Sequence, residues 1–465
     1  MRMVAVESSR PTFRSLGVAA EIVDALTDQG IDRAFAIQER TLPLALTGKD
    51  LIGQARTGMG KTLGFGVPML DRLFDDADIT ELDGTVRGLV VVPTRELCLQ
   101  VAEDLTGAST LLTAPVGPGK DATRPFRVTA IYGGVPFEKQ TAALDAGTDV
   151  VVGTPGRLLD LSRQNLLDLT HVEVLVLDEA DEMLDQGFLD DVKAIMAQTS
   201  PNRQTMLFSA TMPGPIVALT RSFMHRPVRV RADNSSSQAT HATTTQIVFQ
   251  SHRLDRVSVL ARILQTPGRG RTIVFARTKR SAAMVAEDLA GLGFRVGAVH
   301  GDMRQNDRER SLDAFRDGSV DIMVATDVAA RGIDVEDVTH VINYQVPEDD
   351  KTYVHRIGRT GRAGHSGVAV TLVDWDDLTR WQAIDDTLNL GHPTPPRWFS
   401  TSPEFLTEFD LPEDVTDRVG RAVRVQGSAA ATAPARRDRD RDRDRDRDRD
   451  RNTHGGRRDR KAARR

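Results

Sequence analysis

Short runs of aliphatic and β-branched residues alternate along most of the chain with longer amphipathic stretches. That is the pattern of a parallel sheet covered by helices on both faces. In the first half the runs lie at 51–53, 88–92, 150–152, 172–177 and 205–208. Most are apolar throughout, as strands buried on two sides are, and do not alternate with polar residues. Residues 232–245 (ADNSSSQATHATTT) carry no hydrophobic period and read as an interdomain linker. The second half then repeats the pattern, with runs at 272–275, 296–299, 322–325, 338–342 and 368–372. The prediction is an α/β chain of two similar units with a cleft between them. Ligands of such sheets bind at the carboxyl ends of the strands. Residues 106–124, rich in Gly, Pro, Ser and Thr, read as a surface loop, and 374–426 as a short, partly helical extension.

Composition narrows the class. A chain of 465 residues has room for two or three domains, and 40% hydrophobic with 27% charged residues is an ordinary globular balance. Aromatic residues make up only 5%, which argues against wide base-stacking platforms. The single cysteine, Cys98, excludes internal disulfides and four-cysteine zinc modules; it reads as a small buried hydrophobe. The first 17 residues lack the apolar core of a signal peptide, and no run reaches the length of a membrane span. A cytoplasmic protein with no membrane association is expected. The net charge of −5 is unevenly spread: residues 436–465 hold 15 Arg or Lys against 8 Asp, a tail of +7 on a body of −12. The Arg-Asp repeat at 437–451 has nothing apolar to bury, so the tail is expected to be disordered. It is expected to serve either as a solubilising segment or as a tether for a polyanion, with the +5 stretch at 455–465 the better anchor.

Chemistry is concentrated in a few motifs. ARTGMGKT at 55–62 follows a strand and opens an apolar helix-like stretch. Such a turn offers backbone N–H groups to phosphates at a helix N-terminus. Ala55, Arg56, Thr57, Gly58, Met59 and Gly60 form this cradle, Lys61 reaches the β/γ-phosphates, and the Thr62 hydroxyl is a Mg²⁺ ligand. VLVLDEAD at 174–181 delivers two carboxylates to the end of a strand, Asp178 for the metal and Glu179 to orient and deprotonate water. HRIGRTGR at 355–362 presents three arginines, a source for an arginine finger from the other unit. TDVAARGID at 326–334 ends another strand, with Asp334 and the backbone near Gly332 as nucleotide contacts. The phosphate loop and the arginines are far apart in sequence, so only closure of the two units completes the site. Any ligand that prefers the closed form drives that closure.

Taken together and in order, the motifs resemble one family across nearly all of residues 13–373: the DEAD-box RNA helicases. They are Phe13, the 30–38 segment ending in Gln38, ARTGMGKT, PTREL at 93–97, Gly133-Gly134, TPGR at 154–157, Asp178-Glu179-Ala180-Asp181 and SAT at 209–211. VFART at 274–278, HGDMRQNDR at 300–308, TDVAARGID and HRIGRTGR complete the series. The resemblance implies two tandem RecA-like domains, at 12–231 and 246–395, joined by the 232–245 linker and followed by an extension at 396–435 and the disordered tail at 436–465. It implies an ATP hydrolase acting on RNA, with ATP and Mg²⁺ as cofactors and RNA-processing or ribosome-assembly proteins as partners.

The residue roles carry over position by position. Gln38 reads the adenine edge, with Ile31 and Phe13 nearby; Ser209 and Thr211 couple nucleotide state to closure together with Asp181 and His355; Arg359 and Arg362 face the γ-phosphate. For RNA the resemblance assigns Pro93, Thr94, Arg95, Gly134, Thr154 and Arg157 in the first domain, and Arg277, Thr278, Arg308 and Thr326 in the second. Hydroxyls, small residues and arginines suit a sugar-phosphate backbone better than base edges, so recognition independent of sequence is expected. By residue type alone, Thr94 and Thr154 are also ordinary helix N-caps. The chain departs from the family in having Ala34 and Phe35 where Pro and Thr or Ser are usual, and Ile31 where an aromatic is usual. Two other functions fit the same motor: a DNA helicase, and an ATP-gated RNA clamp that unwinds little.

Overall fold

The structure is a computed structural model that describes residues 10–55, 60–75, 82–116, 122–231, 244–330, 335, 337–361 and 366–426. The first half holds β1 (Leu51–Gln54), β2 (Gly88–Val91), β3 (Thr113–Pro115), β4 (Thr123–Pro125), β5 (Val128–Ile131), β6 (Val150–Gly153), β7 (Val174–Leu177), β8 (Gln204–Ser209) and β9 (Val228–Arg231). Seven of these form one sheet in the order β5-β6-β2-β7-β8-β1-β9, parallel throughout. Only β3 and β4 stand apart, as a small antiparallel pair.

The second half holds β10 (Thr244–Gln250), β11 (Arg271–Phe275), β12 (Val296–Val299), β13 (Ile322–Ala325), β14 (Val338–Asn343) and β15 (Gly367–Val373). They form a second parallel sheet in the order β10-β15-β14-β11-β13-β12. Parallel neighbours need crossover connections, and the intervening helices supply them on both faces. The result is two tandem RecA-like α/β domains.

Burial on two faces explains why the strand sequences do not alternate. In β2 and β7, Val90, Val174 and Val176 enter one apolar cluster, while Leu89, Val91, Leu175 and Leu177 enter another on the opposite face. The second sheet divides in the same way, with Val274, Ile322 and Val324 on one side and Ile273, Phe275, Met323 and Ala325 on the other. A residue pointing either way meets hydrocarbon, so each position is apolar.

The structure departs from the expectations of the sequence in four places. The edge strands β9 and β10 were not among them, because VRVR and TTQIVFQ are partly exposed and mix polar with apolar residues. Thr244 and Thr245, placed in the linker, are the first residues of β10; the rest of that segment, 232–243, lies outside the described residues. The loop expected over 106–124 instead begins within the helix Arg95–Ala108 and contributes β3 and β4. The short strand β5 was not read either. Residues 427–465, which include the Arg-Asp repeat, lie outside the described residues.

The segment after 395 belongs to the second core. Phe405 and Phe409 pack their rings 5.9 and 6.1 Å from that of Phe249 in β10, and Trp398 lies 5.0 Å away. The Gln426 amide donates to the Val296 carbonyl at 2.9 Å, at the start of β12. No helix among the described residues is long and apolar enough to cross a membrane.

Candidate active site and nucleic-acid interface

The carboxyl end of β1 leads to the phosphate loop, and the helix Lys61–Asp75 begins directly after it. Gly60 takes a positive φ of 75°, and a Cβ there would meet Gln38 Nε2 at 2.6 Å and the Phe35 ring at 2.7 Å. Only glycine fits that approach. Gln38 is buried and doubly engaged: Nε2 donates to the Gly60 carbonyl at 2.8 Å, and Oε1 accepts from the Phe35 amide at 2.8 Å. It therefore ties the start of the helix Ala36–Ala45 to the phosphate loop. Ala55 is buried and donates its amide to the Ser209 carbonyl, and Thr62 is half-buried in the first turn of its helix. Phe13 is part of the first core and Ile31 packs against that core. Residues Arg56, Thr57, Gly58 and Met59 lie outside the described residues.

β7 is buried along its whole length and ends at the acidic pair. Lys61 Nζ lies 3.5 Å from Asp178 Oδ1 and 3.9 Å from Glu179 Oε1, with all three side chains buried. Burial pulls the Lys61 ammonium down, but Asp178, Glu179 and Asp181 outweigh it and hold its pKa above the ordinary value. Burial raises the Glu179 carboxyl, Lys61 and Arg359 oppose the rise, and Asp178 and Glu182 add to it. A carboxylate shifted upward accepts a proton more readily. Glu179 also has a φ of 51°, in the left-handed region that non-glycine residues occupy at a cost of about 1–3 kcal/mol. Its amide donates to Asp178 Oδ1 at 2.9 Å, which closes the turn.

Asp181 is bound to the SAT segment. Its Oδ2 accepts from both the amide and the hydroxyl of Thr211, each at 2.8 Å, while its own amide donates to Ser209 Oγ at 3.2 Å. Burial pushes the Asp181 carboxyl up, and the Ser209 and Thr211 hydrogen bonds more than reverse this. His355 places Nδ1 3.0 Å from Glu182 Oε1. Glu182 follows Asp181 on the same short helix, Ala180–Asp185, so the histidine and the SAT-bound aspartate meet one element.

Arg356 and Arg359 of HRIGRTGR have different surroundings. Arg356, 1% exposed, holds Asp327 in a two-pronged pair at 2.5 and 2.7 Å and donates to the Gln345 carbonyl at 2.8 Å. It is bound within the fold. Arg359 lines a pocket with Phe275, Asp327, Thr352 and His355, and its charge reaches Glu179 across the cleft. Arg362, Gly332 and Asp334 lie outside the described residues.

The candidate RNA contacts fall on helix starts at the carboxyl edges of both sheets. Pro93 is buried just after β2. Thr94 Oγ1 accepts from the Leu97 amide at 3.3 Å, and Thr278 Oγ1 accepts from the Ser281 amide at 3.1 Å, so both are N-caps. Thr154 occupies the equivalent place without a side-chain cap. Arg157 lies 4.2 Å over the Phe137 ring and donates to Gln140 Oε1 at 3.1 Å. Arg95 packs against Gly134, where a Cβ would come within 2.2 Å of its Nη1. That same Nη1 donates to Gln305 Oε1 at 3.1 Å, across the domains. Arg308 forms a second crossing contact, with Nε 3.0 Å from Glu96 Oε1, and donates to the Ala329 carbonyl at 2.9 Å. Burial draws the Arg308 pKa down, and Glu96 opposes it. Arg277 pairs with Asp377 at 2.9 Å, and Thr326 is buried at the end of β13. Glu96, inside PTREL, was not singled out from sequence; its acidic charge among basic candidates was the available signal.

A lysine and a strained glutamate at the edge of one parallel sheet, faced by an arginine from a second, define a two-domain nucleotide-driven motor. Comparison with known proteins agrees. The DEAD/DEAH box helicase family matches residues 35–219, and the helicase conserved C-terminal domain matches residues 255–364. The chain belongs to the DEAD-box family of ATP-dependent RNA helicases. It is 42% identical to the ATP-dependent RNA helicase CshA of Listeria monocytogenes, over 81% of this chain and 68% of that protein. It is also 42% identical to the DEAD-box ATP-dependent RNA helicase CshA of Geobacillus kaustophilus, over 81% of this chain and 76% of that one. Among solved structures it is similar to S. cerevisiae Dbp5 bound to RNA and ADP BeF3, with a TM-score of 0.70 and 28% identity over 83% of this chain and 95% of that one. It is likewise similar to Mss116p bound to ssRNA and AMP-PNP, with a TM-score of 0.71 and 26% identity over 87% of this chain and 83% of that one.

Proposed function

We propose that the protein hydrolyses ATP when RNA draws its two RecA-like domains together, and that it uses this cycle to separate RNA strands locally. The observation that carries this reading is the position of Glu179, buried beside Lys61 at 3.9 Å and within electrostatic reach of Arg359 from the other domain. In this reading Lys61 holds the β/γ-phosphates, Glu179 takes the proton of the attacking water, and Arg359, with Arg362, meets the charge that builds on the γ-phosphate. Gln38 meets the adenine while holding Gly60. Asp181, Ser209, Thr211 and His355, with Glu182, carry the nucleotide state to the second domain.

One carboxylate and one hydroxyl, Asp178 and Thr62, suit a Mg²⁺ ion that takes most of its ligands from phosphates and water. Such an ion would neutralise phosphate charge. No group of three or more His, Cys, Asp or Glu among the described residues makes a metal cage, in keeping with an ion that arrives with the nucleotide. RNA would lie over the helix starts at Thr94, Thr154 and Thr278, with Arg95, Arg157, Arg277 and Arg308 along its backbone and Pro93, Gly134 and Thr326 shaping the path. Contacts to the 2′-OH would favour RNA over DNA. The reading expects its substrates in the cytoplasm, in RNA-processing or ribosome-assembly particles.

A second reading, an ATP-gated RNA clamp, draws on the crossing contacts Glu96–Arg308 and Glu182–His355, which join the two domains directly. Release of a short paired strand on ATP addition favours unwinding. A long-lived RNA complex without strand release favours the clamp.

Steady-state phosphate release with no nucleic acid, with RNA and with matched single-stranded DNA tests the main reading. RNA alone is expected to stimulate, and Glu179→Gln to lower the stimulated rate by about 10²–10⁴-fold. Equal stimulation by DNA would turn the reading towards a general helicase.

A further inference from the structure

Beyond the RNA path proposed above, the carboxyl edge of the second sheet continues into a surface of unusual composition. Leu254, Trp375 and Phe399 are 87%, 67% and 55% exposed, in a chain with few aromatics. The backbone brings them to one place. The Ser251 amide donates to the Val373 carbonyl at 3.0 Å, the Trp398 amide to the Gln250 carbonyl at 3.1 Å, and the Ser400 amide to Asp255 Oδ2 at 2.6 Å. Arg397 lies with its guanidinium 5.1 Å from the centre of the Trp375 ring. Arg253 is exposed beside Leu254.

This surface is continuous with the candidate RNA face. Arg277, at the end of β11, reaches Asp377 at 2.9 Å, two residues from Trp375. Of the three aspartates around the indole, Asp374 lies 3.4 Å from buried Arg256, and Asp377 pairs with Arg277 and Arg380, so both charges are answered within the fold. Asp376 is exposed. An exposed indole backed by a guanidinium, beside a line of arginines, is the chemistry that holds unpaired nucleotides by stacking and phosphate contact.

We propose that single-stranded RNA, after crossing the Arg277–Thr278 turn, continues onto the Trp375–Arg397 surface, where a base stacks on the indole and Arg397 meets a phosphate. The proposal rests on the reading that the chain binds RNA along its helix starts. Because stacking is indifferent to base identity, the extended contact adds affinity for longer strands without adding sequence preference.

The test uses the full chain with AMP-PNP and two single-stranded RNAs, one of about six and one of about twenty nucleotides, bracketing the few nucleotides that one such platform engages. Trp375→Ala is expected to lower the ratio of long-RNA to short-RNA affinity by roughly tenfold, the loss of one stacked base. Asp376→Asn, which removes a repulsive charge, is expected to raise that ratio, a gain that misfolding cannot mimic. An unchanged ratio in Trp375→Ala overturns the proposal and leaves the patch as a surface for a protein partner. An equal loss for both RNAs also overturns it, since the indole would then act at the central path. If the unaltered protein binds neither RNA, it is the RNA-motor reading that fails.

Discussion

The carboxyl edges of the two sheets are built alike and charged oppositely. At the first, buried acids gather around a single buried lysine, with Asp178, Glu179, Asp181 and Glu182 all within a few residues of β7. At the second, arginines dominate, and the most deeply buried, Arg356, is already matched by Asp327. The first edge thus carries electrostatic strain that a phosphate chain with its cation can relieve. The second is mostly self-satisfied and lends one arginine, Arg359, to its neighbour. In the proposed mechanism an isolated first domain would hold Glu179 without the charge that completes the site, and hydrolysis would be conditional on closure.

Neighbouring arginines offer the sharpest way to break this contrast. Arg359→Ala is expected to slow RNA-stimulated hydrolysis by about 10³-fold with little change in melting temperature. An Arg359→Ala protein that hydrolyses ATP normally would remove the second domain from the chemistry. Arg356→Ala, three residues earlier, is expected to act on the fold, costing about 3 kcal/mol because Asp327 loses its buried partner. Urea unfolding measures that cost, and an unaltered midpoint would show that the pair contributes nothing. A smaller effect is expected at the crossing contact. Glu182→Gln weakens the link to His355 and should reduce the fold-stimulation by RNA about tenfold; full stimulation would make that contact incidental to closure.

The smallest effect concerns His340 in β14. Burial, then repulsion from Arg269, lowers its pKa to about 4. Above the ordinary histidine value it is neutral in both folded and unfolded chains, and its contribution to stability is complete. As pH falls from about 6.5 towards 4, the unfolded chain takes up a proton that the folded chain refuses, and stability is lost. Between pH 7 and pH 5 the loss should be about 1–2 kcal/mol, and His340→Gln should flatten it. A variant with the same pH slope as the parent would assign that slope elsewhere.

Much of this architecture was legible in the chain, and the reasons for success and failure are physical. β2 and β7 were readable because both faces are buried, which leaves an unbroken apolar run. β9 and β10 were not, because an edge strand faces water on one side and its composition drifts towards that of a loop. The buried grouping of Lys61 with Asp178 and Glu179 was readable because each follows or precedes a strand in a recognisable local pattern. Its crossing partners were not, since Glu96 meets Arg308 only through the tertiary fold. Nor could spacing alone separate Arg356 from Arg359, where the decisive fact is the proximity of Asp327. That the extension after 395 joins the second core was not legible, because Phe405 and Phe409 find their partner, Phe249, 156 and 160 residues earlier.

Cys98 has a practical consequence. It is the chain's one cysteine, buried, with Sγ donating to the Val152 carbonyl at 3.1 Å, and burial pushes its thiol up to about 12. The thiolate is the form that attacks a maleimide, so at neutral pH the native protein is expected to be close to silent towards maleimide dyes. A cysteine introduced on the surface of each domain would therefore be labelled against almost no background. The unaltered scaffold is thus ready for fluorescence-transfer measurements of how the two domains approach and separate during each turnover.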